Sequence, residues 1–221
     1  MADFKNIGII GAGSMGIGIA QIASSASCSV LLYDNNLDAA EKSLNSLARV
    51  LQRLVEKGKI TDNKKRKILA NIQIIDSLDK LHSVELVIEA IIENEEIKKV
   101  LFKKLETIIG PDCIVATNTS SLSVTSLGSS LNNPKRFIGI HFFNPAPVMP
   151  LVEIIPALQS DINLSLEIKR LMLKWNKTPV IAKDTPGFIV NRVVRPFYSE
   201  ALRIYDEQIA DFSTIDFAMK E

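Results

Sequence analysis

Gly11-Ala12-Gly13-Ser14-Met15-Gly16 follows directly on the apolar run Asn6–Ile10 and opens a helix-like stretch, Ser14–Ser25. Its G-x-G-x-x-G spacing, between a strand and a helix, matches a dinucleotide-binding turn. Gly11 allows the tight turn, Gly13 lets backbone approach a pyrophosphate, and Gly16 lets helix and strand pack closely, while the helix N-terminus offers unpaired N–H groups to phosphate. A tight structural turn is the competing reading of the same glycines. Residues 30–33 read as the next strand, and Asp34 ends it near the 20-residue offset of a carboxylate that accepts the adenosine ribose hydroxyls. The residues that follow are Asn35, Asn36 and Leu37, with no cation for a 2′-phosphate, which favours NAD over NADP. The competing reading of Asp34 is a turn aspartate capping the next helix.

Outward from this βαβ unit, strand-like and helix-like patterns alternate, predicting a mostly parallel sheet covered by helices. Residues 37–57 carry apolar side chains at 44, 47, 51, 54 and 55, a helical spacing, and a charged helix over 62–70 pairs with them as a helical insertion. Further strands are expected at 72–75, 86–88, 114–116, 137–140, 151–155 and 180–182, with helices near 94–109 and 161–174. The turn-rich Asp184-Thr185-Pro186-Gly187 marks a boundary, after which 188–209 reads as helix with no strand beyond it. One more helix starts past Asp211, with Ser213 or Thr214 as its N-cap. The predicted fold is α/β: a Rossmann-type dinucleotide-binding domain with a helical insertion over 1–185, then the start of an all-α domain over 186–221.

Bulk properties narrow the function classes. Among 221 residues, 47% are hydrophobic and 23% charged, enough for a sizeable core. A net charge of +1, from 26 basic and 25 acidic side chains, gives no field that would recruit nucleic acid or an anionic membrane. Cys28 and Cys113 fit no metal or disulfide spacing and read as reduced core residues, as suits a cytoplasmic protein; no metal site is expected. Residues 6–33 carry no charge, but glycines at 8, 11, 13, 16 and 18 make a poor signal peptide or membrane helix.

Of two histidines, His82 lies in a polar stretch and reads as a surface residue. His141 instead closes the apolar run 137–140 and precedes a connection holding Pro145, Pro147 and Pro150. A return centred on Pro147 sets His141 opposite Glu153 on the next strand, where a carboxylate can hold one ring nitrogen and fix the tautomer. Such a pair suits removal of an alcohol proton while hydride leaves the same carbon for a nicotinamide. An ordinary strand-end ion pair is the alternative.

Five stretches and one aspartate together, GAGSMG at 11–16 with Asp34, IEAIIEN at 88–94, TNTSSL at 117–122, HFFNPAPVMPLVE at 141–153 and DTPGFIVNR at 184–192, resemble the 3-hydroxyacyl-CoA dehydrogenase family, including its bacterial 3-hydroxybutyryl-CoA members. The resemblance implies NAD-dependent oxidation of (S)-3-hydroxyacyl-CoA to 3-oxoacyl-CoA, with His141 as general base and Glu153 as its partner. It further implies Ser120 between nicotinamide and thioester, Asn191 lining the acyl site, and Glu93, Lys98, Ser120 and Asn144 contacting NAD. For the CoA nucleotide it points to the basic insertion over 49–67, with Lys57 as the matching lysine; Val50 stands where some members place a serine. Each residue also has a plainer reading: Glu93 and Lys98 as a solvated helix-end pair, Ser120 and Asn144 as turn caps, Asn191 as a helix residue, Lys57 as one of a solvated charge run. The family continues with several helices beyond a stretch like Asp216–Lys220, so a C-terminally truncated member is expected, a fragment or a shorter natural form, whose full-length form is a homodimer. Two alternatives stay open: an NAD-binding protein with a structural or regulatory role, and a 3-hydroxyadipyl-CoA dehydrogenase, since Arg195–Ala201 resembles members of aromatic-acid breakdown. A dehydrogenase for small β-hydroxy acids is disfavoured by the basic insertion.

Overall fold

The computed structural model describes residues 4–221. Eight strands form one sheet in the order β3-β2-β1-β4-β5-β6-β7-β8. They are β1 Asn6–Ile10, β2 Ser29–Tyr33, β3 Ile72–Ile75, β4 Leu86–Glu89, β5 Ile114–Thr117, β6 Phe137–Phe142, β7 Leu151–Pro156 and β8 Thr178–Ile181. All neighbours pair in parallel except β6 and β7, which run antiparallel. The chain winds outward from β1 to β3 and then returns to lay β4 on the other side of β1. The strand order therefore reverses between β1 and β4, and a crevice opens outside their carboxyl ends.

Helices cover both faces. One core packs α1 Ser14–Ser25, α2 Leu37–Glu56, α3 Asp62–Ala70 and α6 Leu164–Lys174 on Ile7, Ile9, Val30, Leu32, Ile138, Ile140, Val152 and Ile154. The other packs α4 Glu95–Glu106 and α5 Val124–Gly128 on Ile10, Val87, Val115, Phe137 and Ile155. Burial on both faces is why the central strands β1, β4 and β5 read as nearly unbroken apolar runs. The two-residue alternation then puts His141, in phase with Phe137, and Glu153, in phase with Ile155, on the α4–α5 face.

The chain ends in α7 Val190–Asp206 and α8 Phe212–Ala218. Asp211 caps α8, its carboxylate accepting the Thr214 N–H at 2.8 Å, in place of the expected Ser213 or Thr214. With Phe212 as the first helical residue, only position 211 sets its side chain toward the third helical amide. Strand β8 begins at Thr178, two residues earlier than expected, and takes in Pro179; as an edge strand it has no partner waiting for the missing N–H. Strand β6 runs on through His141 to Phe142, so the histidine sits within the ladder and not beyond it.

Candidate active site

The glycine turn is built by close approach. Gly11 has φ +98°, and a Cβ there would lie 2.5 Å from the Ala90 carbonyl oxygen; a Cβ on Gly16 would lie 1.7 Å from the Gly11 carbonyl oxygen. At Gly13 a Cβ would project into open space, with nothing within 4 Å. Two glycines thus serve packing, and the middle one keeps a cradle clear at the start of α1. Asp34 adjoins it: one carboxylate oxygen accepts the Ala12 N–H at 2.7 Å and the other the Asn36 N–H at 3.0 Å. The cap of α2 is Asn36, which accepts the Ala39 N–H, so the helix-capping alternative for Asp34 fails. A cleft of about 570 Å³ joins Gly11, Gly13, Asp34 and Tyr33 to an apolar wall that includes Ile92, Ile97 and Val100. These three are 64%, 45% and 68% exposed, an unusual concentration of bare aliphatic surface beside a polar turn.

Under the crevice lies a charge network that only partly coincides with expectation. Glu89, at the end of β4, is fully buried; it accepts Lys98 Nζ and the Ile91 N–H on one oxygen and Thr117 Oγ1 on the other. Lys98 is 1% exposed, so it is not a solvated helix-end residue. Its ammonium also lies 3.3 Å from Glu93 Oε2. Glu93 Oε1 in turn accepts Thr119 Oγ1 and the backbone N–H groups of Ser120 and Ser121. Burial pushes the Glu93 carboxyl upward, but the Thr119 and Ser120 hydrogen bonds and the Lys98 charge outweigh it and hold it below the usual range. The chain of contacts from Lys98 through Glu93 therefore fixes the Ser120 turn.

At the far side of that turn stands the histidine. His141 and Glu153 are register partners across β6 and β7. Nδ1 of His141 lies 2.8 Å from Glu153 Oε2, and both residues are buried, at 5% and 0% exposure. Glu153 Oε1 accepts the Ile189 and Val190 N–H groups at 2.9 and 3.0 Å. A carboxylate only accepts, so Nδ1 carries the hydrogen and Nε2 is left as the basic nitrogen. The imidazole packs on Phe143 and Phe188, with ring centroids 4.6 and 5.6 Å away. Phe188 adopts φ +48°, a left-handed conformation costly for a bulky side chain. Asn118 steadies the same strand by accepting the Phe142 N–H at 2.9 Å.

Ser120 and Asn191 are brought together, Asn191 Nδ2 donating to the Ser120 carbonyl at 3.4 Å. Asn144 lies exposed just beyond β6, before a cis peptide to Pro145. Lys57 is the exposed residue closing α2, so the insertion holds it at the surface. Sequence reasoning missed Glu89, Asn118, Asp184 and Lys177. Asp184 accepts Ser123 Oγ and the Val124 and Thr125 N–H groups, tying the exit of β8 to α5. Lys177 is buried and donates to the Ala146 and Met149 carbonyls at 2.6 and 2.8 Å, holding the proline-rich connection after Asn144. A lone acid closing an apolar strand was a legible signal for Glu89; the other three are polar residues in polar stretches. His82 is exposed and both cysteines are buried, as expected. Among the described residues no cluster of potential ligands could hold a metal ion, and no helix is long and apolar enough to cross a membrane.

A dinucleotide-type crevice at the sheet's switch point, with a buried histidine–carboxylate pair on the strands that follow it in the sheet, defines a dinucleotide-binding α/β architecture. Residues 6–185 match the family model of the 3-hydroxyacyl-CoA dehydrogenase NAD binding domain, and residues 187–221 match that of the same family's C-terminal domain. The chain is 42% identical over 218 residues to a probable 3-hydroxybutyryl-CoA dehydrogenase of Bacillus subtilis, covering 99% of this chain and 76% of that protein. It is 40% identical over 221 residues to a 3-hydroxyadipyl-CoA dehydrogenase of Escherichia coli, covering 100% of this chain and 46% of that protein. Among solved structures, an (S)-3-hydroxybutyryl-CoA dehydrogenase of Ralstonia eutropha superposes with a TM-score of 0.95 at 39% identity, over 99% of this chain and 77% of that one. The chain therefore spans less than half of the Escherichia coli relative and about three quarters of the other two. It belongs to the 3-hydroxyacyl-CoA dehydrogenase family, whose NAD-binding domain, of Rossmann type, is matched by residues 6–185.

Proposed function

We propose that this chain carries the reaction centre of an NAD-dependent dehydrogenase that oxidises (S)-3-hydroxyacyl-CoA to 3-oxoacyl-CoA. The observation that carries this reading is the 2.8 Å contact between His141 Nδ1 and Glu153 Oε2 on strands that end beside the dinucleotide crevice. A protein that merely held NAD would have no use for a buried base whose second nitrogen is kept free.

The crevice fits NAD: Gly13 leaves open the space a side chain would fill, and Asp34 stands at the end of β2 without a neighbouring cation. Bound there, NAD would supply the acceptor for the hydride that leaves the substrate carbinol carbon. His141 Nε2 takes the hydroxyl proton in oxidation and returns it in reduction. Glu153 holds the Nδ1–H and stabilises the charge the ring acquires. Gly11, Gly13, Gly16 and Asp34 hold the dinucleotide, with Asn144 beside the nicotinamide end. Lys98 contributes through Glu93, which sets the Ser120 turn. Ser120 and Asn191 face the thioester and acyl part, and Lys57 takes the nucleotide part of CoA.

The same reading divides the chain into the NAD-binding domain over 1–185 and a helical part over 186–221; the meeting of the two family models between 185 and 187 supports it. It makes the protein cytoplasmic, with no nucleic acid or membrane partner, and, with helices like those of its longer relatives, a homodimer. Exposed Val193, Phe197, Leu202 and Phe217 on α7 and α8 support an apolar contact there. The test is NADH oxidation with a panel of 3-oxoacyl-CoA thioesters, run on this chain and on a form extended with helices like those of its longer relatives. Turnover of one or more thioesters is expected; NADH binding with no turnover in either form would contradict the proposal.

A further inference from the structure

The carboxylate that orients His141 is itself oriented by backbone from a different part of the chain. We infer that the N–H groups of Ile189 and Val190, at the entry to α7, are positioning groups for His141 that act through Glu153. The inference rests on the reading of His141 as the proton acceptor, since it concerns how that base is held.

Three observations combine. Glu153 is fully buried, so no water competes for its oxygens, and Oε1 has two donors, both from the entry to α7, at 2.9 and 3.0 Å. The last torsion of a glutamate is broad and roughly two-fold, so its own rotamer does not decide which way the carboxylate plane faces. The donors on Oε1 decide it, and thereby aim Oε2 at Nδ1 of His141. Secondly, these amides open a helix of 17 residues, and its N-terminal partial charge adds to their hold on an anionic oxygen. Thirdly, the same segment touches the site twice more: Phe188 lies against the imidazole, and Asn191 reaches the Ser120 carbonyl. Seating α7 thus orients the carboxylate, packs the ring and closes the serine turn in one movement. A histidine whose tautomer depends on Glu153 then reports whether the helical part is docked.

Replacing one amide by an ester removes the N–H and leaves the side chain in place. The α-hydroxy analogue of valine at 190, or of isoleucine at 189, deletes one donor to Glu153. The control is the ester at 193, whose N–H donates to the Ile189 carbonyl within α7 and not to Glu153. Nitrogen-15 NMR on histidine-labelled protein reads the tautomer directly without substrate; there are two histidines, and His82→Gln assigns the signals. The unaltered chain is expected to show His141 with the hydrogen on Nδ1 alone. Each ester at 189 or 190 is expected to change the tautomer ratio by about tenfold or more, the scale of one hydrogen bond to a charged group. In the same variants kcat falls while NADH affinity holds, and the ester at 193 leaves the tautomer as it was. An unchanged tautomer in both esters overturns the inference, as does an equal change in the 193 control. Absence of turnover in the unaltered chain would sink the proposed activity and leave the tautomer result to decide this point.

Discussion

A Cβ placed on Gly16 would lie 1.7 Å from the carbonyl oxygen of Gly11, while one placed on Gly13, midway between them, would meet nothing within 4 Å. The three glycines of one motif therefore do different physical work. Gly16→Ala should fail to fold or lose most of its stability, because the clash is with backbone that cannot rotate away. Gly13→Ala should fold with a melting temperature close to that of the parent and bind NADH at least about tenfold more weakly, the scale of one crowded phosphate contact. Thermal unfolding and NADH fluorescence titration separate the two; equal losses of stability would refute the division.

Lys98 and Glu89 form a buried pair whose partners cannot be removed singly. Lys98→Met should cost about 3–5 kcal/mol by leaving the fully buried Glu89 charge uncompensated. Adding Glu89→Gln should recover part of that loss. Denaturant unfolding of both variants checks it, and a single variant as stable as the parent would show that the pair carries no such linkage.

Acid should weaken the tie between β8 and α5. Burial raises the Asp184 carboxyl, but hydrogen bonds from Thr125, Ser123 and Val124 outweigh it and leave it below the ordinary value near 3.8. A carboxyl depressed on folding contributes stability fully above its unfolded value and loses it as pH falls through the folded one. Asp184→Asn should therefore melt lower than the parent at pH 7, and the gap should close as pH drops below about 4. A gap independent of pH would mean that the Asp184 charge plays no part.

How much of this was legible in advance depended on the range of the interaction. Strands β1 and β4 end within a residue of expectation because burial on both faces imposes a nearly unbroken apolar pattern, and α1, β3 and the charged helix α3 fall within the same margin. The pairing of His141 with Glu153 followed from the turn between them. Helix α5 and the two short 3-10 turns, 78–81 and 134–136, left no periodic trace and went unread. So did the true neighbours of the His141–Glu153 pair. Ile189 and Val190 meet Glu153 through main-chain N–H groups, which have no signature in residue type. Lys98, whose charged helix reads as solvated, is buried because Glu89 waits beneath it, a contact nine residues away. Asp184 reaches α5 across about sixty residues, a distance no local pattern spans.

On the proposed reading His141 moves the proton. Reduction of acetoacetyl-CoA by NADH, followed as loss of NADH absorbance, tests it in His141→Gln alongside the parent. The variant should bind NADH with unchanged affinity and lose about 10²–10⁴-fold in kcat, the usual worth of a positioned acid–base group. A His141→Gln protein turning over within a few fold of the parent would contradict the assignment.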